Sequence, residues 1–179
     1  SLKNEPCDGN LKPRGVEFVR EMNRLGMIVD VSHLGDDGFW DVVKYSKKPF
    51  LASHSCARAL CDHPRDLWDP QLRALGEKGG VVGVNYLTSF LRPVTDWKTD
   101  NLTSIDLVVK HLRHMANVAG MESVALGSDY DGMRSRMEWG DAAGQQLLVR
   151  GMEKEFHESE IEKICHGNAL RVFREIWGA

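Results

Sequence analysis

GMIVDVSHLG, residues 26–35, is an apolar run rich in β-branched residues that carries Asp30 inside it and ends on Ser32-His33. A strand covered on both faces should be uniformly apolar, so a terminal histidine needs a reason. PFLASHSCAR, residues 49–58, repeats the pattern: Phe50, Leu51 and Ala52 lead into Ser53-His54-Ser55, with the two histidines 21 residues apart. Two further short apolar runs follow, GVVGVNY at 80–86 and SVALGS at 123–128. None of the four alternates strictly, which predicts parallel strands over 26–32, 49–53, 80–86 and 123–128.

Helical periodicity fills the intervals. Residues 14–25 place Val16, Val19, Met22 and Leu25 on one face, and 37–46 bring Phe39, Val42 and Val43 together. A third helix over 69–78 has Asp69 as N-cap and Pro70 at its first position, and Ser104 caps a fourth over 104–119. Helices over 141–156, 158–165 and 167–177 complete the chain. Repeated β-α order argues for a parallel α/β sheet, as a barrel or an open sheet. A complete eight-stranded barrel needs about 250 residues, so four strands in 179 residues read as half of one. His33, His54, Asn85 and Asp129 each fall at the carboxyl end of a predicted strand, the face on which parallel barrels build active sites. An open sheet would also place ligands at strand carboxyl ends, mainly at its switch point.

The bulk properties fit a single soluble domain spanning 1–179. The chain is 42% hydrophobic with a formal net charge of -3, a balance that offers nothing to nucleic acid or an anionic membrane. No apolar run approaches the roughly 18 residues of a membrane span. Four cysteines (Cys7, Cys56, Cys61, Cys165) form no CxxC pair and read as reduced thiols, which points to the cytoplasm. Opening at Ser1 in loop-like sequence, the chain reads as a piece of something longer.

A neutral imidazole at a strand end is a good zinc ligand, and adjacent strand ends can aim His33 and His54 at one point. The competing reading is a pair of core histidines, each hydrogen-bonded by its neighbouring serine. In ALGSDYDGM, Asp129 ends the fourth strand as a candidate proton acceptor or ammonium partner, or else as a helix N-cap. Asp131 is assigned to the turn. Arg65, in the loop CDHPRDLWD, is placed to grip a carboxylate, against the alternative of a solvated surface side chain. His111 and His114 read as helix surface, and the five tryptophans as packing.

Taken together, FVREMNRLGMIVDVSH, PFLASHSCARALCDHPRDL, GGVVGVNY, VALGSDYDG and GNALRVFRE resemble the membrane (renal) dipeptidase family of zinc peptidases, in its soluble bacterial branch, from about Gly15 to Glu175. The resemblance implies a (β/α)8 TIM barrel of the metal-dependent amidohydrolase type, two zinc ions bridged by a glutamate, and hydrolysis of dipeptides, including those with a D-residue. It implies that His33 and His54 are ligands of one zinc, that Arg65 binds the substrate carboxylate, and that Asp129 meets the substrate amino group and assists proton transfer.

The departures are informative. The family's His-x-Asp pair and bridging Glu have no counterpart here, since Glu5, Glu17 and Glu21 stand in the wrong context. The chain therefore corresponds to strands five to eight, with the amino-terminal half of the barrel as an expected partner and a homo-oligomer as the expected assembly. Asp66 and Cys56 stand where the family often has Asn. Two alternatives accompany this reading: a non-catalytic half-barrel that binds metal or a partner, and an amidohydrolase acting on N-acyl amino acids or β-lactams.

Overall fold

The computed structural model describes residues 9–178; Glu5 and Cys7 lie outside them. The order begins with α1 (Pro13–Leu25), which starts on a proline whose missing N–H costs nothing there and ends on Gly26 in the left-handed conformation, φ 71°. Then follow α2 (Asp36–Tyr45), β1 (Leu51–Ser55), α3 (Asp69–Glu77), β2 (Val81–Asn85), α4 (Thr88–Leu91), β3 (Leu102–Thr103), α5 (Ile105–Ala119), β4 (Val124–Ser128), β5 (Arg136–Met137), α6 (Gln145–Met152), α7 (Glu158–Glu162) and α8 (Asn168–Trp177). A π-helical turn, Lys163–Gly167, joins the last two helices.

β1, β2 and β4 form one parallel sheet in that order. The first predicted strand contracts to a single bridge, Asp30 to Leu51, also parallel. Leu51 N–H donates to Val29 O at 3.0 Å and Val31 N–H to Leu51 O at 2.9 Å. Among the described residues this segment pairs with β1 alone, and it turns at once through Ser32-His33. β1 begins two residues later than predicted, because Pro49 has no N–H to donate. His54 therefore lies inside β1 rather than just beyond it.

Helices cover the sheet, and α3 packs on α5. Phe50, Leu72, Leu75, Val82, Val84, Leu112, Met115, Val124 and Leu148 belong to one fully buried cluster. Ser104 caps α5 as predicted, accepting from Leu107 N–H at 3.3 Å. At α3 the cap is Trp68 rather than Asp69, and its N–H donates to Gln71 Oε1 at 2.8 Å. Residues 141–156 form a 3-10 turn capped by Asp141 and then α6, shorter than the periodicity predicted.

His111 corrects the sequence reading. It is fully buried: Ala57 N–H donates to its Nδ1 at 3.2 Å and its Nε2 lies 3.0 Å from Leu91 O. Burial lowers its pKa to about 4, so it is a neutral core histidine that ties the loop at Ala57 and the end of α4 to α5. Of the tryptophans only Trp139 packs inside; Trp40, Trp68, Trp97 and Trp177 are exposed. Cys56, Cys61 and Cys165 are free. No helix among the described residues is long and apolar enough to cross a membrane.

Candidate active site

Because the four strand segments run parallel, their carboxyl ends share one edge, and the polar residues gather there. His33 Nε2 lies 2.9 Å from His54 Nε2. Two nitrogens bound to one tetrahedral zinc at about 2.0–2.1 Å stand roughly 3.3 Å apart. The two rings thus converge on one point, and a small opening admits a metal. Burial and the charge of Arg65 lower the His33 pKa, opposed by Asp129, which favours the neutral, ligating form. Among the described residues, no group of three or more His, Cys, Asp or Glu side chains is arranged to hold a metal ion. The histidines fit half a ligand set.

The serine contact of the competing reading also exists, on the far side of the His54 ring. Ser53 Oγ is 2.6 Å from His54 Nδ1 and donates to Asp30 Oδ2 at 2.5 Å. Ser53 N–H and Ser32 N–H both donate to Asp30 Oδ1 at 3.0 Å. His54 N–H donates to Ser32 Oγ at 2.9 Å. Partial desolvation would raise the Asp30 pKa, but these hydrogen bonds outweigh it and hold the carboxyl below its ordinary value. The sequence offered a trace of this arrangement in its repeated Ser-His; only the fold shows that Asp30 joins both copies.

Arg65 sits on the loop between β1 and α3, which is closed at its base by pairing of Ala57 with Leu67. Its Nε–H donates to Ser32 O at 2.9 Å, one residue from His33, and its guanidinium lies over Phe90, 5.5 Å from the ring centroid. Nη2 is buried and has no hydrogen-bond partner. A buried donor without an acceptor is costly, about 1–3 kcal/mol, so this atom is poised for an anionic oxygen. The solvated-surface alternative for Arg65 does not hold.

Asp129 and Ser128 take left-handed backbone angles, φ 71° and 27°. Non-glycine residues rarely adopt them, and such strain gathers at functional sites. Buried Asn85, at the end of β2, donates from Nδ2 to Asp129 Oδ2 at 3.0 Å. No helix follows directly, so Asp129 is not a helix cap. The next residue is anchored too: Trp139 Nε1–H donates to Tyr130 Oη at 2.8 Å, and Tyr130 Oη donates to Gln145 Oε1 at 2.6 Å.

The parallel α/β sheet thus gathers two converging histidines, an arginine and a strained aspartate at its carboxyl edge, the face on which parallel α/β barrels build active sites. The sequence places it more narrowly. The profile of the membrane dipeptidase family (Peptidase family M19) matches residues 2–178, and the chain belongs to that family.

Dipeptidase tcpJ of Claviceps purpurea is 34% identical over 177 residues, covering 96% of this chain and 40% of its own. A protein encoded in the pqqA 5′ region of Klebsiella pneumoniae is 39% identical over 179 residues, covering 99% of this chain and 65% of its own. Among solved structures, a metallopeptidase from Rhodobacter sphaeroides liganded with a phosphinate mimic of L-Ala-D-Ala superposes with a TM-score of 0.85 at 33% identity, over 95% of this chain and 48% of that one. The dipeptidase AC of Peptidase family M19 gives 0.86 at 34% identity, over 96% and 51%. The chain therefore spans about half the length of these solved relatives.

Proposed function

We propose that this chain supplies strands five to eight of a (β/α)8 barrel dipeptidase, and that the complete barrel hydrolyses dipeptides with two zinc ions. The observation that carries the reading is the convergence of His33 and His54 beside Arg65, whose buried Nη2 lacks an acceptor. His33 and His54 hold one metal through Nε2, and the amino-terminal half supplies the remaining ligands. Bound there, the metals supply an acidified water and a Lewis acid for the scissile carbonyl. Arg65 binds the carboxylate of the substrate, which limits the site to short peptides whose terminus lies at that distance. Asp129, held by Asn85, meets the substrate amino group and carries the proton to the leaving amine.

The phosphinate mimic of L-Ala-D-Ala on the Rhodobacter peptidase makes that dipeptide the first substrate to test. The chain is to be coexpressed with a family amino-terminal half carrying the His-x-Asp pair and the bridging Glu. The reconstituted protein is expected to release alanine and to lose both bound zinc and activity on His54→Ala. Arg65→Met should raise KM for dipeptides about 30-fold or more, as expected for a lost charge-assisted pair of about 2 kcal/mol or above. A zinc-loaded protein inactive on dipeptides overturns the assignment in favour of an N-acyl amino acid or β-lactam substrate, and an unchanged KM in Arg65→Met overturns the role of Arg65 as the carboxylate partner.

A further inference from the structure

We propose that Asp30 is a positioning residue which, acting through Ser53, fixes His54 as the Nδ1–H tautomer and so presents the bare Nε2 to the site. The inference rests on the metal-site reading only for its purpose; the tautomer itself follows from counting donors.

An ionised carboxylate can only accept. Asp30 Oδ1 takes the N–H groups of Ser32 and Ser53, leaving Oδ2, at 2.5 Å, for the Ser53 hydroxyl proton. Ser53 has one proton and has spent it, so towards His54 Nδ1, 2.6 Å away, its oxygen must accept. The proton on that line therefore belongs to the imidazole. Ser32 agrees: its oxygen accepts from His54 N–H at 2.9 Å, and its own proton is free to point at Ser53 Oγ, 3.3 Å away. Every donor in the cluster then runs one way and ends on Asp30.

The other edge of the ring is compatible with this assignment. A 2.9 Å approach of two ring nitrogens admits a proton on one of them only. With His54 Nδ1 protonated, its neutral ring leaves Nε2 to accept from His33 Nε2–H in the metal-free chain, and to serve as a ligand. Tautomers are set by the partner of the other ring nitrogen; here a serine transmits the preference of an aspartate that does not touch the ring.

The decisive variant is Asp30→Asn. Its amide would offer an N–H to Ser53 Oγ, turning the serine proton toward His54 Nδ1 and driving the imidazole to the Nε2–H form. Long-range proton–nitrogen NMR of the histidine rings reads the tautomer directly, in the full chain without metal, at a pH near 8 where imidazoles are neutral. The wild type should show Nδ1 protonated on His54 and Asp30→Asn should show the reverse. Ser53→Ala should give a mixture of both forms, and Ser53→Thr should restore the wild-type pattern. Zinc titration should show an affinity loss of about 10–100-fold for Asp30→Asn.

A wild-type His54 carrying its proton on Nε2, or an Asp30→Asn spectrum unchanged at His54, overturns the proposal. If Asp30→Asn does not fold, the contrast between Ser53→Ala and Ser53→Thr decides it alone. Because the NMR arm needs neither metal nor substrate, its result stands apart from whether the reconstituted protein proves to be a dipeptidase.

Discussion

Asp66 lies beside Arg65, 1% exposed, with Oδ1 accepting from Cys56 N–H at 3.1 Å and Oδ2 without a partner. Burial pushes its pKa from 3.8 up to about 8, against the opposing pull of the Cys56 hydrogen bond, Arg58 and Arg65. At neutral pH it is therefore held as the acid, close in shape to the asparagine that the family resemblance leads one to expect there. The folded chain keeps this proton up to about pH 8 while the unfolded chain releases it near 4, so stability falls as pH rises through that window. Asp66→Asn should flatten the curve. In urea unfolding, the loss of stability between pH 5 and 7 should be about 2–3 kcal/mol larger for the wild type than for the variant.

At the scale of elements, the turn after β4 does most to set the site. A Cβ on Gly132 would fall 2.2 Å from Asp129 Oδ1, so the glycine lets the chain fold back over the carboxylate. Gly132→Ala should displace Asp129 from Asn85 and lower kcat of the reconstituted protein by about tenfold or more, since small misplacements of reacting groups are costly. KM should change less, because Arg65 is untouched. Behind the site, α5 is held by its core face. Leu112→Ala should cost about 2–5 kcal/mol in unfolding experiments, through the cavity left between α5 and α3.

For the whole molecule, the consequence lies at the sheet edges. Among the described residues, the segment at Asp30 pairs only with β1, and β4 pairs only with β2. Two open parallel edges invite association, and Phe18, Leu25, Met27 and Trp177 add exposed apolar surface elsewhere on the chain. The chain purified alone should self-associate in sedimentation velocity, and a complementing amino-terminal half should convert it to a one-to-one complex. A stable monomer unaffected by that half would contradict the proposed barrel. Three of the four predicted strands formed as such, legible because burial on both faces writes continuous apolar runs, while the run at 26–32 keeps a single bridge at Asp30. β3 and β5 were not legible, since a two-residue ladder leaves no periodic trace.

Sequence by itself determined the α/β order, the family and the four polar residues at strand ends, because these follow from local pattern and from motifs spread along the chain. The tertiary structure alone decided which of them meet and which atoms face the site. It buried His111, which has the same local context as a surface residue, by bringing the loop at Ala57 and the end of α4 at Leu91 against α5. It gave Asp30 a partner 23 residues away, because parallel pairing sets Ser53 beside it. A side chain's neighbours along the chain are written in the sequence; its hydrogen-bond partners across the sheet depend on register, which only the folded packing fixes.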